Sequence, residues 1–537
     1  MKKKLHNRLQ NSSYFLVLFF FLSCGSKSAI LSTPIENIDL VPLKVEQLTE
    51  IEKKEWSHLD LKKDTIPGVS LQRAYKELVK PKSKTIIVAV IDSGIDIDHE
   101  DLKGCIWVNS DEIPNNGKDD DTNGYIDDVH GWNFLGEANN EQLEYVRLVA
   151  SGDSSNPRYL EAKKLLSEEY ESNSRMKKQY DEILEQLTTA DAAVAKYLKK
   201  PVYTKEEVDG IMTPDFELIR HINIIKQAYG FGFETIEACI KDLNSDLKTF
   251  NERLDYNLNI NFDGRKVVGD NPDDLSDRNY GNRDVRAKNG RTHGTHVSGI
   301  IAAKRNNGIG IDGAANNVKI MAIRNTPSGD EYDKDVALGV YYAVDNGAKV
   351  INMSFGKQFS PHSDWVRDAI AYAAEKDVLI VAAAGNDGEN TDEINYFPND
   401  QINNGVEVSN TFLKVGANGP KYGSTLIAGY SNYGKNTVDI FAPGSQIYST
   451  YPKNDYEFAS GTSMAAPLVS GVAALIFSQY PNLSAAQVKH ILMTSGIAID
   501  KKVVLESGAI VPFSELSKSG KMVNAYNALI MASKLSK

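Results

Sequence analysis

The feature that most limits the fold of this chain is a run of apolar, mostly β-branched residues without alternation. Thr85-Ile-Ile-Val-Ala-Val-Ile91 has no charged residue and no polar face. A strand with one wet face alternates polar and apolar positions. An unbroken run belongs to a strand covered on both faces, as in a parallel sheet with helices above and below it. Similar runs recur at Val318–Ile323, Lys349–Met353 and Val378–Ala383, and more weakly at Phe412–Val415 and Val438–Phe441. Helical spacing fills gaps between them, as at Tyr332–Asn346 and Asp364–Lys376. This alternation predicts an α/β fold with a doubly wound, mostly parallel sheet.

Residues 140–261 break the alternation. They are rich in Glu, Lys, Leu and Tyr, and their apolar residues recur at helical spacing. Met176, Tyr180, Ile183, Leu184 and Leu187 share one face, and so do Ile236, Ile240, Leu243, Leu247, Phe250 and Leu254. Thr213-Pro214-Asp215 reads as a helix start, with the threonine as cap and proline in the first turn. The expected organisation is an α/β domain made of 66–139 and 262–537, with an α-helical insertion at 140–261 that forms a small core of its own.

Residues 1–23 read as a signal peptide. Lys2–Lys4 and Arg8 precede an apolar stretch from Tyr14 to Leu22, which is too short to span a bilayer. The stretch ends in Phe21-Leu22-Ser23-Cys24-Gly25, which resembles the lipobox of bacterial lipoproteins, with Phe21 where leucine is usual. Lipidation at Cys24 is the favoured expectation, and ordinary cleavage near Ser23 is the alternative. Residues 24–65 would then be a tether, holding a protein that works outside the cytoplasm, at an outer membrane or cell surface. The 537-residue chain is 41% hydrophobic and 25% charged, a globular composition that excludes wholesale disorder. Its formal net charge is −12, and loss of a basic leader would make the body more acidic, which argues against nucleic acid as a partner. Two cysteines besides Cys24, Cys105 and Cys239, could pair or remain thiols; they form no CxxC metal site.

Three segments carry the chemistry. Val90-Ile91-Asp92-Ser93-Gly94 ends the first buried run. His293-Gly294-Thr295-His296-Val297 opens an apolar helix. Gly461-Thr462-Ser463-Met464-Ala465-Ala466-Pro467 opens another, running to about Gln479. A fourth, Ala382-Ala383-Ala384-Gly385-Asn386, follows a buried strand. In this order and with these flanks, the chain resembles the subtilisin-like serine peptidases, the subtilases, over roughly 66–139 and 262–530. The resemblance implies a serine endopeptidase acting on proteins or peptides. Ser463 would be the nucleophile, His293 its base and Asp92 the residue that orients the imidazole; Asn386 would donate to the oxyanion. It also implies that Ser354-Phe355-Gly356, after the strand Lys349–Met353, pairs with the substrate backbone. A lone Asp after a strand is usually a turn residue and a lone Ser before a helix usually a cap, so the weight lies in the combination. His293 and His296 stand three apart without the glutamate of an HExxH site, which excludes that zinc arrangement. The rival from another class is a surface binding protein on an inactive copy of the same fold, but no member of the triad is missing.

The loop Asp119-Asp-Asp-Thr-Asn-Gly-Tyr-Ile-Asp-Asp128 has oxygen ligands at alternate positions and a glycine for the turn, like the first half of an EF-hand loop. Hard oxygen donors favour Ca2+ in a structural role. The expected ligands are Asp119, Asp121, Asn123 and the Tyr125 carbonyl, with Asp127 or Asp128 completing the set. A solvated acidic turn is the alternative. A second, weaker calcium pattern lies at Asn306–Gly310.

Overall fold

In the computed structural model, residues 34–36, 44 and 46–536 are described, apart from 289 and 404. The signal segment and Cys24 lie outside the described residues. The strands are β1 (Ile86–Asp92), β2 (Gly131–Asn133), β3 (Val318–Arg324), β4 (Val350–Met353), β5 (Leu379–Ala383), β6 (Phe412–Asn418), β7 (Ile440–Pro443), β8 (Ile447–Tyr451), β9 (Asp455–Ala459), β10 (Ile497–Ala498), β11 (Lys502–Val504), β12 (Ile510–Pro512) and β13 (Lys521–Met522). Nine of them form one sheet in the order β10-β13-β7-β6-β5-β4-β1-β3-β2. Every pairing in it is parallel except β10 with β13.

The apolar runs follow from burial on both sides. Val88 and Val90 of β1 enter one core, and Ala89 and Ile91 enter the other. In β3, Ile320 and Ala322 face the first core while Met321 and Ile323 face the second. Apart from Ile87 and Lys319, which are partly exposed near the strand starts, these positions are buried, so no polar alternation is selected; each Ile or Val buried this way gains about 1.5–3 kcal/mol over exposure. Both cores are roofed by helices, the arrangement expected of a doubly wound sheet.

Chain order introduces the helices. α1 (Glu50–Glu55) and α2 (Leu71–Glu77) precede the sheet. Part of the stretch 24–65, expected as a tether, is a packed element instead. Thr49 and Glu52 form a reciprocal cap on α1. Trp56 and Leu61 are each 1% exposed, and the Trp56 indole donates to the Gln446 carbonyl at 3.1 Å. Further upstream, Ile35 exchanges two hydrogen bonds with the Asn527 side chain, at 2.7 and 3.0 Å.

Between β2 and β3 come α3 (Glu144–Ser151), α4 (Tyr159–Leu198), α5 (Lys205–Asp209), α6 (Phe216–Gly230) and α7 (Ile236–Glu252). α4 has 40 residues, a rod of about 60 Å at ~1.5 Å per residue. Leu187, Ala190 and Val194 of α4 meet Leu218, Ile222 and Ile225 of α6 and Ile236 and Cys239 of α7 in a separate apolar cluster. Of the stripe read from Met176 to Leu187, only Leu187 is buried; Ile183 is exposed. The start of α6 also differs from expectation. Asp215, not Thr213, is the cap, accepting from the Glu217 and Leu218 N–H groups. A carboxylate directly ahead of the first helical residue outcompetes a hydroxyl two positions further out.

The remaining helices are α8 (His293–Ala302), α9 (Asp333–Asp345), α10 (Ser363–Glu375), α11 (Thr462–Gln479), α12 (Ala485–Ser495) and α13 (Ala525–Leu535). α9 and α10 cover one face of the sheet; α8, α11, α12 and α13 cover the other. Cys105 and Cys239 are free thiols.

Candidate active site

β1, β3, β4 and β5 run in parallel, so their carboxyl ends lie along one edge, where open α/β sheets hold ligands. Asp92 ends β1 and is 1% exposed. Its Oδ1 accepts the Ser93 N–H at 2.7 Å, which fixes the carboxylate. His293 is the first residue of α8, and its Nδ1 lies 2.8 and 3.0 Å from the two Asp92 oxygens. The helix reaches this close because Gly294 has no side chain: a Cβ there would sit 2.4 Å from the Gly94 carbonyl and 3.1 Å from Asp92 Oδ1. Burial acts to lower the His293 pKa, but the adjacent Asp92 charge and its hydrogen bond outweigh it, and the net shift is upward.

Register carries the site across the sheet. Ile91 pairs with Met353, so the residue after β4, Ser354, comes beside Asp92. The Ser463 hydroxyl donates to the Ser354 carbonyl at 3.0 Å, and the Ser354 hydroxyl donates to the Ser463 carbonyl at 2.9 Å. Pro467 explains the second bond. It stands four residues after Ser463 and has no N–H, so the Ser463 carbonyl lacks its helical partner and the Ser354 hydroxyl replaces it. Ser354 is steadied in turn by Asn352, and Asn352 by Ser470, both at 2.9 Å. Among the described hydrogen bonds the Ser463 hydroxyl donates to Ser354, not to His293 Nε2.

Asn386 follows β5. Its side-chain oxygen accepts the Thr462 N–H at 2.8 Å and the Thr462 hydroxyl at 3.1 Å. That pins the amide and leaves Nδ2 as a donor that no described hydrogen bond uses. The Ser463 N–H belongs to the first turn of α11 and has no intrahelical acceptor. The structure thus brings Asp92, His293, Ser354, Ser463 and Asn386 to one sheet edge. His296 is separate: buried, bonded through Nε2 to the Ile447 and Glu457 carbonyls, with burial lowering its pKa to about 4.

Phe355 is buried and Gly356 faces a residue the sequence reading missed, Tyr396. A Cβ on Gly356 would lie 2.5 Å from Tyr396 Cε1, and one on Gly385 would lie 2.6 Å from Cζ. The ring fills the slot between the two glycines, and its hydroxyl donates to the Gly356 carbonyl at 3.3 Å. No motif marks a tyrosine in this role; the signal is in the packing.

In the acidic loop the carboxylates divide into two groups. Glu112, Asp119 and Asp121 bring carboxylate oxygens within 4.8 Å of one another. Asp127 instead pairs with Arg283 at 2.7 Å and accepts the Asn116 and Gly117 N–H groups. Glu112 reaches toward Asp119 and Asp121 from outside the loop. Asn123 lies alongside, accepting the Tyr125 N–H and donating to Asp121 and Asp128. Burial pushes the Glu112 pKa up, with added repulsion from Asp128 and Asp121. An all-oxygen set short of positive charge fits a hard divalent cation.

The family model described as "Subtilase family" matches residues 83–509. The chain is 39% identical over 230 residues to a thermophilic serine proteinase of Bacillus sp. (strain AK1), covering 43% of this chain and 51% of that protein. It is 40% identical over 215 residues to a cell wall-associated protease of Bacillus subtilis (strain 168), covering 40% and 22%. It is 41% identical over 197 residues to thermitase of Thermoactinomyces vulgaris, covering 36% and 64%. In each case the chain spans less than two thirds of the relative's length.

Proposed function

Because the chain belongs to the subtilase family, we propose that it is a serine endopeptidase that hydrolyses peptide bonds in proteins through Asp92, His293 and Ser463. The observation that carries this reading is the Asp92 carboxylate held 2.8 Å from His293 Nδ1, at the sheet edge where Ser463 and Asn386 also lie. With Nδ1–H donated to Asp92, Nε2 is the free base. Ser463 turns from the Ser354 carbonyl to Nε2, loses its proton there and attacks the scissile carbonyl. The new oxyanion takes hydrogen bonds from the Ser463 N–H and Asn386 Nδ2. Such a donor contributes about 3–4 kcal/mol to the transition state, a figure measured in subtilisin. The imidazolium, stabilised by Asp92, returns the proton to the leaving amine, and water releases the acyl group by the same path. A fluorophosphonate probe should label the protein stoichiometrically, and peptide amides should be cleaved; failure of both would reject the reading.

The proposed organisation is a catalytic domain of 66–139 and 262–537 interrupted by a helical insertion at 140–261. The proposed location is extracytoplasmic, with lipid on Cys24 as the anchor; one relative is named for the cell wall. The substrate strand lies along Ser354-Phe355-Gly356. Tyr396 fills the slot next to it, so small residues are preferred on the acyl side of the scissile bond. Tyr396→Gly should raise kcat/KM for phenylalanine over alanine at that position by about tenfold or more. A native protein that already favours phenylalanine would contradict this role for the ring.

Ca2+ is proposed at Glu112, Asp119 and Asp121, with Asn123 beside them. A cation bound only by the folded state stabilises it by mass action. Saturating Ca2+ should raise the Tm by about 3 °C, and Asp121→Ala should remove the response. A Tm indifferent to Ca2+ and to chelator would exclude the site.

A further inference from the structure

The substrate groove is bounded by the two chain segments that leave β3 and β4, with Asp92 at the end of β1 between them. A peptide paired with Ser354–Gly356 runs away from Ser463 toward Lys357. There the two walls meet. The Lys357 ammonium, 2% exposed, donates to the Glu331 carbonyl of the opposite wall at 2.6 Å. It also bonds to Glu144 at the start of α3 at 2.8 Å and pairs with Asp333 at 3.0 Å. Arg147 of α3 braces the same point, donating to the Asp330 and Glu331 carbonyls and pairing with Glu144 at 2.6 Å. One step further along, Arg158 donates to the Gln358 carbonyl at 2.6 Å and stacks 3.5 Å over Phe359.

The β3 wall is engaged as well. The Ser328 N–H donates to the Asn139 carbonyl at 2.8 Å, and its carbonyl accepts from Glu141 at 2.7 Å and from Asn257 at 2.9 Å. The Ser328 N–H and carbonyl are therefore not available to a substrate. Gly329 permits this approach, since a Cβ there would fall 2.1 Å from the Glu141 carbonyl.

We propose that the helical segment closes the acyl-side end of the substrate groove, so that productive contacts stop about three residues before the scissile bond. The figure follows from Lys357 lying three residues beyond Ser354, about 10 Å of extended chain. Residues further upstream must lift away from the protein and add no binding. Substrates are then chosen for a short extended acyl side on a mobile strand, not for long upstream recognition sequences. This inference rests on the peptidase reading above.

The test is a series of fluorogenic peptide amides with acyl parts of two to six residues and a constant residue at the scissile bond. For the native protein kcat/KM should rise up to three residues and then change by no more than about threefold. A larger rise between three and six residues would overturn the inference while leaving the peptidase reading intact. A protein that fails to react with a fluorophosphonate would instead overturn that reading, and this inference with it. Lys357→Ala, which unties the two walls, should restore a gain at the fourth and fifth residues. If that variant does not fold, the native series decides alone.

Discussion

Replacing Ser463 by alanine should lower kcat for peptide hydrolysis by about a millionfold, the loss known for nucleophile replacement in subtilisin itself, and abolish fluorophosphonate labelling. The stability cost should be small. The hydroxyl donates one hydrogen bond, to the Ser354 carbonyl, whereas the bond that steadies the start of α11 runs the other way, from the Ser354 hydroxyl to the Ser463 carbonyl, and survives the change. His293→Ala should lose a similar amount, and the double variant scarcely more, because base and nucleophile act as one unit. Residual cleavage within tenfold of the native rate would refute Ser463 as nucleophile.

Asp92→Asn is the second large effect, with kcat/KM at neutral pH expected to fall by about ten-thousandfold, the size reported for the same change in another Ser-His-Asp enzyme. An amide can donate toward Nδ1 and so favour the tautomer whose Nε2 carries the proton, which cannot then act as base. The pH profile adds a readout that misfolding would not mimic. His293 must be neutral to accept a proton, so activity rises as pH climbs through its pKa. Asp92 holds that pKa up. In Asp92→Asn the remaining influence is burial, which lowers it, so the acidic limb should move to lower pH while the plateau drops. An acidic limb that stays in place would show that His293 does not govern the profile.

The sheet was legible where strands are buried on both faces, since β1, β3, β4 and β5 have no polar alternation to mislead the eye. The short strands were not. β2, with three residues, and β10 and β13, with two each, are held by neighbours in the sheet and carry no periodicity of their own. The residues of the proposed triad stand out in the sequence because each sits at a strand end or helix start with distinctive flanks. In the acidic loop, the spacing of Asp119 and Asp121 is visible in the sequence, whereas Glu112 joins them through space and Asp127 pairs with Arg283, distant in sequence. Trp56 and Leu61 were invisible as core residues because a short helix flanked by polar residues shows no stripe; the hydrogen-bond partner of Trp56, Gln446, lies far downstream. Tyr396 carries no motif, and its role shows only in its packing against Gly356 and Gly385.

The docking of Ile35 and Ser70 on Asn527 and Asn524, at the start of α13, governs when the molecule can assemble. Ile35 bonds to Asn527, Ser70 to Asn524, and β1 pairs with a strand that begins at Val318. Few of these contacts are local, so closing them is slow, and they wait for α13 to leave the ribosome. Any chemistry at the sheet edge therefore waits until Asn524 and Asn527 are available to Ser70 and Ile35.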